Sequence, residues 1–306
     1  MPDVTGLDKQ FDYLVPDSLR DEVRPGALVR VDLHGRPIGA WVVDLDPADP
    51  GGVAPVTGAA TLDGPELKPI TKITGSGPDG DMIALARWAA ARWVGRWRTF
   101  LQVASPPRAV LGLPADRRTG VTVEPRSPAS TSILASGGGV LRLPPTSDPM
   151  PAVLSAVAFG PTLVVVPSVD AAVLMASRLR RSGVSVASMP DDWAAAAAGV
   201  DVVIGSRSAA WAPCAGLAAA VVIDEHDEAL QEEGSPTWHA RDVVIERCRR
   251  AGVPLLLLSP CPTLTALEWG TLTRPPHERE RNAWPIVDVI DRTDEDPWKR
   301  SLVTSE

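Results

Sequence analysis

The run Val221-Val222-Ile223-Asp224-Glu225-His226-Asp227 concentrates groups able to do chemistry. An apolar strand that delivers Asp-Glu at its carboxyl end supplies two parts of a nucleoside-triphosphate hydrolase. The Asp holds Mg²⁺ and the Glu polarises the attacking water. The same pattern arises in many α/β proteins where a strand simply ends in solvated carboxylates, so Asp224, Glu225 and His226 must be read in context. His226 and His239 invite a metal reading, but no third convergent ligand accompanies them, and Asp227 and Glu228 alone make no recognised site. No metal is expected. The three cysteines, Cys214, Cys248 and Cys261, lack C-x-x-C spacing, which excludes a disulfide framework and offers no zinc site.

The elements that position these groups follow from periodicity. From Val140 onward, apolar runs at Val140–Leu143, Leu163–Val166, Val202–Ile204, Ala219–Ile223 and Leu255–Leu258 alternate with helical stretches at Ala152–Ala158, Ala171–Arg181 and Ala240–Arg250. Continuous buried strands alternating with helices predict a parallel α/β sheet over residues 140–275, with Asp224 at a strand's carboxyl end. Residues 1–74 instead carry short β-patterned runs at Phe11–Val15, Ala27–Leu33, Ile38–Leu45 and Leu67–Ile73, separated by Pro- and Gly-containing turns, which predicts a small antiparallel sheet or barrel. Asp79–Arg98 reads as one helix, ended by Ser105-Pro106-Pro107. Residues 106–139 read as a linker, polar and loosely ordered through 111–139. Residues 276–306 are charged and Pro-rich, with one further strand expected at Pro285–Ile290.

With 306 residues, 44% hydrophobic and 22% charged, the chain has the composition of a soluble globular protein of two domains. No apolar run is long enough to span a bilayer, so a cytoplasmic location is expected. A net charge of −8 argues against nucleic acid as a partner of the whole surface. Locally the balance reverses. Between Met82 and Ala115 there is no acidic residue, and Arg87, Arg92, Arg96, Arg98 and Arg108 are interleaved with Trp88, Trp93 and Trp97. That mixture suits stacking on single strands and neutralising their phosphates. It equally suits an amphipathic helix with tryptophan inward and arginine outward, and the four-residue spacing of Arg92/Arg96 and Trp93/Trp97 favours the inward reading for the tryptophans.

Context comes from the segments around the Asp-Glu pair. Ile204-Gly205-Ser206-Arg207-Ser208-Ala209 lies upstream, and Thr237-Trp238-His239-Ala240-Arg241-Asp242 and Ser259-Pro260-Cys261-Pro262-Thr263-Leu264 lie downstream. In order and spacing they are similar to the I-G-T-R-S-A, D-E-E-H-D, Y-H-A-R-D and S-A-T-P-x-L segments of the PriA (primosomal protein N′) family, matching it at Arg207, His239 and Arg241. Independently, Phe11-Asp12-Tyr13-Leu14-Val15-Pro16 followed by Gly26-Ala27-Leu28-Val29-Arg30-Val31 resembles the opening of that family's 3′-end-binding domain.

The resemblance implies a β-rich 3′-end DNA-binding domain with its following helix over residues 1–105, and a RecA-like helicase lobe over 140–275. It carries the pocket residues of the DNA-binding domain over to Phe11, Asp12, Tyr13, Gly35 and Lys68. Asp12 would accept from a terminal hydroxyl or base edge, an aromatic would stack on the last base, and Lys68 would meet a phosphate. Strand alternation offers another role for Phe11 and Tyr13 as core residues on one face, with Asp12 opposite. Lys72 competes with Lys68.

The chain also departs from the family. A G-x-x-x-x-G-K-[ST] loop, whose backbone N–H groups and Lys hold the phosphates, is replaced by Leu143-Pro144-Pro145-Thr146-Ser147-Asp148-Pro149-Met150. Three prolines remove donors, no glycine supplies the turn, and Asp148 brings a repulsive charge. The D-E-E-H motif is shortened and S-A-T has become Ser259-Pro260-Cys261. Residues 111–139 are too short for the family's winged helix, and the chain ends before its zinc region and second lobe. ATP and Mg²⁺ are therefore implied by resemblance alone, and zinc is expected only in the C-terminal half that this sequence lacks.

The expected function is DNA binding in replication restart, at stalled forks, with other primosome proteins as partners and without ATP-driven unwinding. The alternatives are an active ATP-dependent 3′→5′ helicase and an unrelated α/β enzyme using Asp224 and Glu225.

Overall fold

Continuous apolar runs become the central sheet because both of its faces are covered. The computed structural model describes residues 1–45 and 67–285. Seven strands, β4 (Gly138–Arg142), β5 (Thr162–Val165), β6 (Val186–Ser188), β7 (Val202–Gly205), β8 (Ala219–Val222), β9 (Leu255–Ser259) and β10 (Leu272–Thr273), form one parallel sheet in the order β10-β4-β9-β8-β5-β7-β6. Every residue of β5, β7, β8 and β9 is buried, which explains their unbroken apolar sequences. One face is packed by α3 (Pro128–Ala135), α4 (Met150–Val157) and α5 (Val169–Arg181). The other is packed by α7 (Ala240–Ala251), and also by the N-terminal helices α1 (Gly80–Arg92) and α2 (Trp97–Ala104). Shorter helices, α6 (Trp193–Ala198), α8 (Leu264–Trp269) and α9 (His277–Asn282), complete this part. The architecture is the expected α/β parallel lobe of RecA-like kind.

The N-terminal part is a three-stranded antiparallel sheet in the order β2-β1-β3, from β1 (Ala27–Leu33), β2 (Arg36–Trp41) and β3 (Lys72–Ser76). Val29, Val31, Ala40 and Ile70 form its core. The first expected strand, Phe11–Val15, does not form. That segment makes a single backbone bridge, at Leu14, which donates to the Lys68 carbonyl at 2.9 Å and accepts from the Ile70 amide at 2.9 Å. The expected Leu67–Ile73 strand likewise begins later, at Lys72. The Pro/Gly-rich stretch 47–65 and, apart from Pro285, the strand expected at Pro285–Ile290 lie outside the described residues.

Two other expectations are corrected. The single helix over Asp79–Arg98 is broken into α1 and α2 between Arg92 and Trp97. Val94 takes a left-handed φ of 50°, and a side chain at Gly95 would lie 2.6 Å from Pro236, so tertiary packing turns the chain there. The 106–139 segment is not a free linker. Arg117 donates to the Gly199 carbonyl, Thr119 donates to Asp201, and Arg126 and Ser127 amides donate to the Ser155 hydroxyl. It then enters α3, whose Ser127 N-cap and Pro128 are a standard helix start.

A row of aromatic rings joins the two parts. Trp88, Trp93, Phe100, Trp211 and Trp238 follow one another with centroids 5.2, 6.2, 5.3 and 5.6 Å apart. Trp193 donates from its indole to the Ala104 carbonyl at 3.0 Å, and Trp41 to Ser105 at 2.8 Å.

Candidate nucleic-acid interface

The β1–β2 hairpin turns through two residues, His34 and Gly35, with φ of 52° and 78°. Positive φ at both positions matches the right-handed twist of the flanking strands, and glycine adopts it without strain. This turn brings four groups together. The Asp32 carboxylate accepts from the Gly35 amide at 3.1 Å and from the Lys68 ammonium, while the Tyr13 hydroxyl donates to the Asp32 carbonyl at 3.1 Å. Tyr13, Gly35 and Lys68 thus meet at Asp32, whereas Lys72 lies opposite Arg30 in β3. Asp32 was not singled out from the sequence. Its one signal is alternation in β1, which puts it on the face of Arg30, opposite buried Val29 and Val31.

Phe11, Tyr13 and Val15 are half-buried, whereas Asp12 and Leu14 are exposed. Tyr13 and Val15 pack on the small core, while Phe11 lies under Lys9, whose ammonium is 5.6 Å from the ring centroid. Lys68 first, then the Gly35 N–H, hold the Asp32 carboxyl below its usual range. Burial, reinforced by the Asp32 carboxylate, raises the Tyr13 phenol.

The arginine-rich stretch is divided by the helix break. Arg92 ends α1 and Arg96 caps α2, so they do not share one helix face, though both are exposed. Arg98 is drawn back to Asp3 at 2.8 Å. Trp97 is buried and Trp88 and Trp93 are half-buried against the core, which is the inward role alternation favoured.

At the carboxyl edge of the parallel sheet, β8 delivers Asp224 as expected, with a left-handed φ of 51°. Asp224 is half-buried, and burial raises its carboxyl. Glu225 is fully buried and both its oxygens are engaged. One accepts from the Thr263 amide at 2.7 Å, the other from the Thr263 hydroxyl at 2.8 Å and Arg241 at 2.9 Å. Instead of facing a water, Glu225 ties β8 to α7 and to the turn before α8. His226 meets the Ser259 hydroxyl at 3.0 Å. His239 caps α7 by accepting from the Arg241 amide at 3.1 Å, and burial lowers its imidazole to about 4, so it stays neutral. Arg207 donates to the Gln231 carbonyl at 2.8 Å and pairs with Glu232 at 3.2 Å.

The loop between β4 and α4 does not fit a triphosphate. At the start of α4 the Met150 N–H is taken by Asp148 at 3.0 Å and the Ala152 N–H by the Pro149 carbonyl at 3.0 Å, while Pro149 and Pro151 have none. Asp148 also holds Arg178 at 2.9 Å, and that pairing keeps its carboxyl charged and below the usual range. Thr146 donates to the Ala283 carbonyl at 2.7 Å, and Arg142 meets Glu280 at 2.7 Å, so the end of the described chain lies against this loop. Among the described residues no group of three His, Cys, Asp or Glu side chains is arranged to hold a metal, and no helix is long and apolar enough to cross a membrane.

Residues 1–106 match the family model described as the 3′ DNA-binding domain of PriA. The chain is 26% identical over 293 residues to the probable replication restart protein PriA of Mycobacterium tuberculosis, an alignment covering 84% of this chain and 43% of that protein. It is 29% identical over 120 residues to replication restart protein PriA of Bacillus subtilis, covering 37% and 15% of the two chains. With replication restart protein PriA of Treponema pallidum it shares 34% identity over 97 residues, covering 29% and 14%. The chain spans less than half the length of each of these relatives. The chain is similar to the PriA replication restart proteins, and its residues 1–106 match their 3′ DNA-binding domain.

Proposed function

We propose that the chain binds DNA at stalled replication forks by capturing the free 3′ end of the nascent strand, and that it does so without ATP-driven unwinding. The observation that carries this reading is the meeting of Tyr13, Gly35 and Lys68 at one hairpin, beside exposed Asp12, within the segment that matches the 3′ DNA-binding domain. In this reading Asp12 accepts from the terminal hydroxyl, Phe11 or Tyr13 stacks on the last base, and Lys68 meets the adjacent phosphate. Arg92 and Arg96 add contacts to the DNA backbone that carry no end preference. Other primosome proteins are the expected partners, and the site of action is the cytoplasm.

Fluorescence anisotropy with the full chain tests this. DNA ending in a free 3′ hydroxyl is expected to bind more tightly than the same DNA ending in a 3′ phosphate. Asp12→Ala should reduce that preference while keeping most general affinity. Arg92→Ala with Arg96→Ala should weaken all DNA alike and flatten the salt dependence by up to about two counterions. Equal affinity of the wild-type chain for both ends would overturn the assignment.

The absence of ATP use is supported by the proline-rich loop and by Asp148 at the start of α4. Calorimetric titration with Mg·ATP at millimolar nucleotide is expected to give no saturable heat. Saturable heat that disappears in Asp224→Asn would refute it and restore the helicase alternative.

A further inference from the structure

Lys68 is the cation that the 3′-end reading turns toward phosphate, yet in the free chain its ammonium is already held by Asp32. The same carboxylate oxygen also accepts from the Gly35 amide, and the Tyr13 hydroxyl anchors the residue through its carbonyl. Asp32 is therefore built into the hairpin rather than a passing surface partner. Its surroundings are basic. Arg30 shares its face of β1, and Lys72 stands directly opposite Arg30 across the strands, both exposed. Like charges in that arrangement repel and attract anions. Among the described residues neither Arg30 nor Lys72 forms an ion pair. Stripped of the Asp32 charge, this face would present Arg30, Lys68 and Lys72 together, and three clustered cations bind any phosphate backbone whatever its end.

We propose that Asp32 is a specificity-determining residue of the 3′-end site: it occupies the Lys68 ammonium and repels phosphate, so that a 3′-phosphorylated end is rejected while a free hydroxyl is admitted. This rests on the 3′-end reading above. An exposed ion pair adds little to folding, so a well-placed internucleotide phosphate displaces it. A terminal phosphate brings additional negative charge beside the same carboxylate, and the repulsion grows. The role of Asp32 is thus selection among DNA ends.

The test uses the full chain and a 5′-fluorescent single strand ending in a 3′ hydroxyl or a 3′ phosphate, titrated over a salt series. In Asp32→Asn the side-chain oxygen still accepts from the Gly35 amide, so the turn is kept while the charge is lost. This variant is expected to bind the phosphate-ended strand about two- to fivefold more tightly, an effect of the size of one exposed ion pair. The hydroxyl-ended strand should gain less, so discrimination shrinks. The slope of log K against log salt should steepen by about 0.7, one more phosphate contact on a single strand. In a Lys68→Ala background the same substitution should leave that slope unchanged. A wild-type chain blind to the two ends would overturn the 3′-end reading and this proposal with it. A wild-type preference for hydroxyl that survives undiminished in Asp32→Asn would overturn the assignment of Asp32 alone.

Discussion

Arg241→Met is expected to lower the unfolding free energy by about 3–5 kcal/mol, the usual loss when one partner of a buried ion pair is removed. Glu225 has no solvent exposure, and Arg241 is its sole cationic partner among the described residues, at 2.9 Å. The Thr263 amide and hydroxyl would remain, but two neutral donors do not compensate a buried charge. Asp242 would lose its contact with Arg241 as well. Because a domain of this kind is stable by about 5–15 kcal/mol in all, the variant should unfold at far lower urea concentration. Arg241→Met combined with Glu225→Gln should recover much of the loss, since no unpaired charge is then left inside. A loss below about 1 kcal/mol in the single variant would overturn the reading of this pair as a buried ion pair. The sequence resemblance would give Glu225 the task of polarising a water, whereas its contacts hold β8, α7 and the turn before α8 together.

Trp211→Ala should be of similar size, about 3–5 kcal/mol, the range for removing a large buried aromatic. Trp211 is completely buried between Phe100 of α2 and Trp238 before α7, so its loss opens a cavity at the seam of the two parts. Among the described residues its indole N–H has no hydrogen-bond partner. Trp211→Phe should therefore cost much less than Trp211→Ala, because the unsatisfied donor goes while most apolar volume stays. Urea unfolding of both variants, followed by circular dichroism, separates the two contributions. A loss in Trp211→Phe as large as in Trp211→Ala would overturn this expectation, because both variants remove the N–H and Phe alone keeps the ring volume.

The sequence made the lobe legible where periodicity alone decides. β5, β7, β8 and β9 are covered on both faces, so their apolar runs stand out, and the position of Asp224 follows from the end of one such run. The break after Arg92 was not legible, because it arises from Pro236, far along the chain, packed against Gly95. α3 was hidden for a different reason: its Ser127-Pro128 start is a helix signal, but the Ser-, Thr- and Pro-rich composition around it reads as loop. Tyr13, Gly35 and Lys68 came from resemblance, and their meeting depends on a hairpin and one backbone bridge at Leu14. Asp32 and the burial of Glu225 each depend on groups brought from distant segments, which no local pattern records.

The row of rings from Trp88 to Trp238 also divides the molecule optically. Its tryptophans lie along the seam, while Tyr13, the one tyrosine in the chain, sits at the 3′-end hairpin. Rings with centroids 5–6 Å apart exchange excitation readily, and four of the ten tryptophans belong to this row, so part of the emission of this chain is a signal from the join between its two parts. A change in tryptophan emission when DNA is added would then report strain carried across that join, and a silent emission would mean that the hairpin works as a free-standing sensor.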